Sequence, residues 1–171
     1  MIRILIWIIF LIGGGALSIW IDQRWFHQIF SNVFFHIITF FAGVFLLHYI
    51  MNASRNTGRL LAKFGREGDV PRLETNKLVT TGIYSCMRHP MHFGLLFFPL
   101  TFALMLGSPT FILIVYPVEV IIMFLLIKFA EEPQAIHKFG DEYKEYMKQV
   151  PFFSLKAECL KQLFSKNPNL G

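Results

Sequence analysis

Two apolar runs lie between residues 91 and 130, and only four residues part them. The first covers 91–106, the second 111–130, and the break is Gly107-Ser108-Pro109-Thr110. So short a break makes the flanking helices antiparallel neighbours. At about 1.5 Å per residue, each run can cross most or all of a bilayer core. The far end of the second run therefore returns to the level where the first began. Pro90 suits a first helical turn, since it lacks an N–H that would be unpaired there and its φ is already helical. His89 then sits at the cap and Arg88 just outside it. Glu131 and Glu132 close the second run. The spacing predicts that these acids meet Arg88 and His89 at one face of a membrane.

Composition agrees with that setting. Hydrophobic residues make up 54% of the chain and charged ones 16%, which points to a membrane protein rather than a soluble domain. The net charge of +5 is read as a topology signal carried by basic loops. No Lys/Arg cluster is interleaved with stacking aromatics, so nucleic-acid binding is excluded as a function class. Cys86 and Cys159 have neither metal-ligand nor paired spacing and are expected to be ordinary thiols on the reducing side.

Residues 4–21 read as a first, retained span, with a cleaved signal peptide after Arg3 as the alternative. Gly13-Gly14-Gly15 within it allows close helix contact. A polar turn is expected over 22–31 and a second span over 32–51, which carries His36 and His48. These histidines are either interfacial and hydrogen-bonded or, on the sharper reading, haem ligands. They lie about 18 Å apart along one helix, so they cannot clamp one iron. Residues 52–89 form the longest polar stretch, rich in basic side chains (Arg55, Arg59, Lys63, Arg66, Arg72, Lys77, Arg88). An amphipathic interfacial helix is expected over 52–64. The basic excess places this stretch in the cytoplasm, while 22–31 and 107–110 are nearly free of Lys and Arg. The expected fold is thus an all-α, multi-pass helical bundle of about four spans in a cell inner membrane. Both termini and the candidate site face the cytoplasm.

Glu119, two residues after Pro117, lies well inside the second run. It is either a functional carboxylate or a protonated one bonded to a backbone carbonyl that Pro117 frees. Beyond residue 130 the chain is charged. Pro133 starts a helix there, Gly140 ends or bends it, and Tyr143 and Tyr146 share one side. Val150-Pro151-Phe152-Phe153 stops it. A surface helix over 154–164 is expected to lay Leu155, Leu160, Leu163 and Phe164 on lipid, ahead of a frayed tail.

In order, the chain reads Leu78-Val79-Thr80-Thr81-Gly82-Ile83-Tyr84, Arg88-His89-Pro90-Met91-His92-Phe93-Gly94, Glu131-Glu132, Phe139-Gly140, Tyr143, Tyr146 and Val150-Pro151. This series resembles the isoprenylcysteine carboxyl methyltransferase family, whose wider group includes membrane phospholipid methyltransferases. The resemblance covers roughly the C-terminal half, and its order and spacing are far more specific than either short motif alone.

The resemblance implies one integral membrane methyltransferase domain over 1–171. Its parts are two spans (1–51), a cytoplasmic connector (52–89), a helical hairpin (90–130) and a C-terminal cofactor-capping module (131–171). It implies S-adenosylmethionine as cofactor and a lipid-like or prenylated methyl acceptor. Asn76, Lys77, Leu78 and Val79 fall on the stretch that lines the family's cofactor pocket, and Tyr84, His89, Pro90, Met91 and His92 continue that wall. Glu132 belongs to the same pocket, and Glu131 with Arg88 is the expected catalytic pair. No metal is implied. A carboxylate pair can hold the cofactor's cations, and the start of the Pro90 helix its anion. Two positions depart from the pattern: His92 replaces a Tyr, and Ile127, beside Lys128, replaces the Arg expected to bind a prenylcysteine carboxylate. An amine acceptor must lose a proton, for which Glu131 is the first candidate base. The competing readings are a non-catalytic scaffold that binds lipid or a partner, and a small haem protein. Taken singly, Arg88 and Lys128 can be snorkelling span ends and Glu131–Glu132 a solvated helix start.

Overall fold

The computed structural model describes residues 2–71 and 74–165, with side chains from Trp7 onward. Arg3, Arg72 and the tail from Lys166, on which parts of the reading above fall, lie outside the described side chains. Among the described residues all regular structure is helical. The helices are α1 (Ile2–Trp25), α2 (His27–Phe30), α3 (Val33–Phe64), α4 (Pro90–Leu95), α5 (Phe98–Leu106), α6 (Tyr116–Leu126), α7 (Glu132–Gln149) and α8 (Ala157–Phe164). A 3₁₀ turn spans Gly82–Ser85, and π-helical turns at Phe111–Val115 and Ile127–Glu131 flank α6.

Among the described residues two helical tracts, Val33–Phe64 and Phe111–Gln149, are long and apolar enough to cross a membrane, and Pro90–Leu106 is apolar but shorter. Trp20, Phe34, Phe41 and Leu113 stand more than half exposed, as side chains facing lipid do. Contacts group the chain into two units. One holds Met1–His48 and Leu96–Leu125, the other Tyr49–Leu95 and Leu126–Gly171.

In the first unit, α1 packs on α5 and the first π turn. A Cβ at Gly14 would lie 2.9 Å from Val115 Cγ1, and one at Gly15 would lie 3.2 Å from Phe102. Two of the three expected glycines thus serve close packing. The polar turn expected from residue 22 begins later, because α1 continues to Trp25. Asp22 is wholly buried in its last turns. It accepts hydrogen bonds from Ser108 Oγ, from the Thr110 N–H at 2.9 Å and from Thr110 Oγ1 at 2.5 Å. Those donors would otherwise be unpaired in the tight turn after Gly107. His36 Nε2 lies 2.5 Å from the Phe30 carbonyl oxygen, a backbone hydrogen bond. Glu119 is 1% exposed. Among the described residues neither of its carboxylate oxygens has a hydrogen-bond partner, so the bond to a carbonyl freed by Pro117 is not formed.

In the second unit, the later half of α3 replaces the separate interfacial helix expected over 52–64. Nothing breaks α3 at residue 52, and Gly58 is tolerated within it. Ala53, Asn56, Thr57 and Leu60 are buried there, so this face packs on protein rather than on lipid. A Cβ at Gly94 would lie 2.9 Å from Ala53 Cβ, which fixes α4 against α3. The surface-helix reading is corrected too. Leu163 on α8 is fully buried, and the Asn56 side-chain amide donates to the carbonyls of Leu163 and Ser165, both at 2.8 Å. Helix α8 is docked through Leu163, while Leu155 ahead of it stays exposed. The two cysteines are not free thiols: Cys86 and Cys159 form a disulfide, with Cα atoms 5.8 Å apart. Their separation in sequence carries no sign of this, because docking of α8 on the 3₁₀ turn brings them together.

Candidate active site

The site begins where the polar connector meets the apolar hairpin. Pro90 opens α4 and is buried, as its fixed φ and missing N–H allow. Arg88 and His89 precede it. The approach from the other side is α7. Its lead-in is the π turn Ile127–Glu131, which stretches the i, i+4 spacing to i+5. Buried Met123, Ile127 and Glu132 are therefore spaced by four and then five residues. A regular α-helix would turn Glu132 away from that face; the inserted residue keeps it there.

Glu132 Oε1 is the centre of the cluster. Arg88 Nη2 donates to it at 2.7 Å and Arg88 Nε at 3.0 Å. His89 Nε2 is 3.2 Å away. The other guanidinium nitrogen, Nη1, donates to the carbonyls of Val150 at 2.7 Å and Met147 at 3.2 Å. The Arg88 backbone N–H donates to the Pro151 carbonyl at 3.0 Å. Arg88 and Glu132 side chains are 10% and 9% exposed, so the pair is shielded from water. Burial brings the His89 imidazole down to about 4, outweighing the opposing hydrogen bond to Glu132. His89 is thus neutral near pH 7 and meets Glu132 as an N–H donor rather than as a cation.

Aromatic side chains line the histidine. The Phe152 ring lies 4.8 Å and the His92 ring 5.8 Å from that of His89, and the Arg88 guanidinium lies 5.7 Å from the Phe152 centroid. Tyr84 is buried and its carbonyl accepts from Tyr146 Oη at 2.5 Å. Burial, with Tyr146 beside it, pushes the Tyr84 phenol above its ordinary range. Met91 and Glu131 are half-buried.

The structure therefore brings Arg88, His89, His92 and Glu132 together, with Pro90, Met91 and Glu131 adjacent in the chain. The Asn76–Val79 stretch lies on a separate wall. The Asn76 amide exchanges hydrogen bonds with the Glu67 backbone at 2.8 and 2.7 Å, and Lys77 Nζ sits 3.7 Å from Glu67. Lys77, Leu78 and Val79 line a cleft of about 470 Å³ with Lys63, Arg66, Thr80, Thr81 and Glu142. A second cleft, of about 480 Å³, shares Thr80 and Glu142 and is lined by Ser85, Tyr146 and Val150. Ile127 is fully buried, and Lys128 beside it is exposed. Reading Val150-Pro151-Phe152-Phe153 as a stop missed its part in the site: its carbonyls bind Arg88 and Phe152 packs on His89. The proline after a helix end was the available signal for an exposed carbonyl pair.

Fold and site together define an all-helical membrane protein with a buried Arg–Glu–His cluster at the start of an apolar helical segment. A family model described as phospholipid methyltransferase matches residues 31–142, more than half of the chain. The protein belongs to the phospholipid methyltransferase family. Curated relatives include protein-S-isoprenylcysteine O-methyltransferase of Mus musculus, 37% identical over 78 residues, which is 46% of this chain and 27% of the relative. The proteins of the same name from Rattus norvegicus and Homo sapiens match at the same identity and coverage. The matched stretch is thus about a quarter of each relative's length. No solved structure matches the chain significantly.

Proposed function

We propose that this chain is an S-adenosylmethionine-dependent membrane methyltransferase that acts on a lipid-like acceptor at the cytoplasmic face. The acceptor is of the isoprenylcysteine carboxylate or phospholipid amine type. The observation that carries the reading is the buried Arg88–Glu132–His89 cluster, which lies within the family match. In the membrane, α1, α3, the Pro90–Leu106 segment and the tract from Phe111 make four spans, with both termini on the cytoplasmic side.

The residues present suit the cofactor. It carries a sulfonium, an ammonium, a carboxylate and an adenosine. The cleft beside Leu78 and Val79 offers apolar side chains for a base, Lys63, Arg66 and Lys77 for an anion, and Glu142 for a cation or hydroxyl. When bound, S-adenosylmethionine supplies an electrophilic methyl group. Glu132 fixes His89 and the start of α4, and Arg88 pairs with Glu132 in a shielded setting. Glu131, half-buried next to Glu132, takes the proton that an amine acceptor must lose. The wall of His89, Phe152 and His92 excludes water, and the remaining need is positioning.

Two observations favour an amine over a carboxylate. A carboxylate acceptor needs a cation near position 127, yet Ile127 is buried and Lys128 is exposed. Arg88 is already engaged by Glu132 and two carbonyls. The test is labelled methyl transfer from S-adenosylmethionine into prenylcysteine, phosphatidylethanolamine and small thiol acceptors. Label in a lipid acceptor supports the reading; no label in any acceptor, with the protein folded, overturns it.

A further inference from the structure

The Cys86–Cys159 bond joins two parts of one unit that are 73 residues apart in sequence. Cys86 directly follows the 3₁₀ turn and stands two residues before Arg88. Cys159 is buried on the inner side of α8, four residues before fully buried Leu163. Helix α8 has only eight residues, too few to persist without tertiary attachments. Its attachments are Leu163, the two hydrogen bonds from Asn56, the Phe164 ring against Tyr49 at 5.9 Å, and the disulfide. Helix α8 also packs on the 3₁₀ turn, and the disulfide adds a covalent link to the segment that carries Arg88 and His89. Cys86 is half-buried while Cys159 is 4% exposed, so a reagent from solution reaches Cys86 first.

We propose that Cys86 and Cys159 form a reversible thiol–disulfide pair that tethers α8 to the Arg88–His89 segment and thereby controls methyl-donor binding. This rests on the methyltransferase reading and on its cytoplasmic site, where glutathione keeps thiols reduced unless an oxidant arrives. The oxidant is a low-molecular-weight disulfide such as glutathione disulfide. The Cys86 thiolate attacks one of its sulfurs, forming a mixed disulfide and releasing one glutathione thiolate. The Cys159 thiolate then attacks the Cys86 sulfur and releases the second. Two electrons pass from the protein to glutathione disulfide, and the two cysteine protons go to solvent. With the bond made, the Arg88–His89 segment is held from both sides: by Glu132 and the 147–151 carbonyls, and by α8. Reduction leaves the second hold to packing of α8 on the 3₁₀ turn alone, and so weakens it.

The full chain in detergent, equilibrated over a series of glutathione to glutathione disulfide ratios, tests this. Thiol state is read by the gel shift of maleimide-polyethylene glycol, α8 docking by tryptic cleavage after exposed Lys156 and Lys161, and the site by S-adenosylhomocysteine affinity. In the bridged form, cleavage slows and S-adenosylhomocysteine binds tighter, each by about tenfold, and both follow the thiol titration. Cys86→Ser and Cys159→Ser each abolish the redox response. Cysteines that stay alkylatable at every ratio overturn the proposal. So does a bridge that forms while cleavage and affinity stay constant. A chain that binds no S-adenosylhomocysteine in either state contradicts the methyltransferase reading instead, and the tryptic rates then decide whether the bridge orders α8.

Discussion

Arg88 holds Glu132 by two N–H groups on one carboxylate oxygen, at 2.7 and 3.0 Å, while its remaining nitrogen holds the carbonyls of Met147 and Val150. One side chain thus fastens both ends of α7 to the segment that opens α4. A planar fork can do this and an ammonium cannot.

Arg88→Ala strands a buried carboxylate and two carbonyls. The expected cost is about 3–5 kcal/mol, measured by denaturant unfolding in detergent. Adding Glu132→Gln recovers part of the loss, because much of the cost is the unpaired charge itself. Arg88→Lys falls between wild type and Arg88→Ala.

His89 sets an acid limit. Its folded value of about 4 lies below the ordinary 6.5, so the unfolded chain binds the extra proton first. Stability from this group is complete above about pH 6.5 and is lost as pH falls towards 4. The loss is at most roughly 3 kcal/mol. Thermal midpoints of His89→Gln against wild type across that window check it: the variant loses less stability on acidification.

Asp22 governs the turn after α5. Asp22→Ala leaves the buried donors of Ser108 and Thr110 without an acceptor and costs about 3 kcal/mol. Asp22→Asn, which keeps an accepting oxygen, costs less. Thermal unfolding in one detergent compares the two.

What the sequence made legible was whatever depends on counting residues along a helix. Glu132 meets Arg88 and His89, Pro90 opens a helix, and Gly140 kinks α7 at φ 60°. What stayed hidden depends on docking of parts far apart in the chain. The Cys86–Cys159 bond needs α8 seated on the 3₁₀ turn, and Asn56 matters only because α8 ends beside it. The π turn before Glu132 was hidden for another reason: a single i+5 step at the end of a mostly apolar run leaves no periodic mark. The unbroken α3 was misread because a change from apolar to basic composition is not a helix stop.

Under the proposed function, buried Ile127 in place of a cation disfavours a carboxylate acceptor. In competition, phosphatidylethanolamine is expected to take label at least about tenfold faster than a prenylcysteine, a difference of about 1.4 kcal/mol. Scintillation counting of separated products gives the ratio.

Calorimetric binding of S-adenosylhomocysteine in detergent tests the central claim most directly, with wild type, Lys77→Ala and Glu142→Gln compared. Saturable one-site binding to wild type, weakened by about tenfold or more in both variants, is the predicted result. No binding to folded wild type, or equal affinity in all three proteins, would contradict the account.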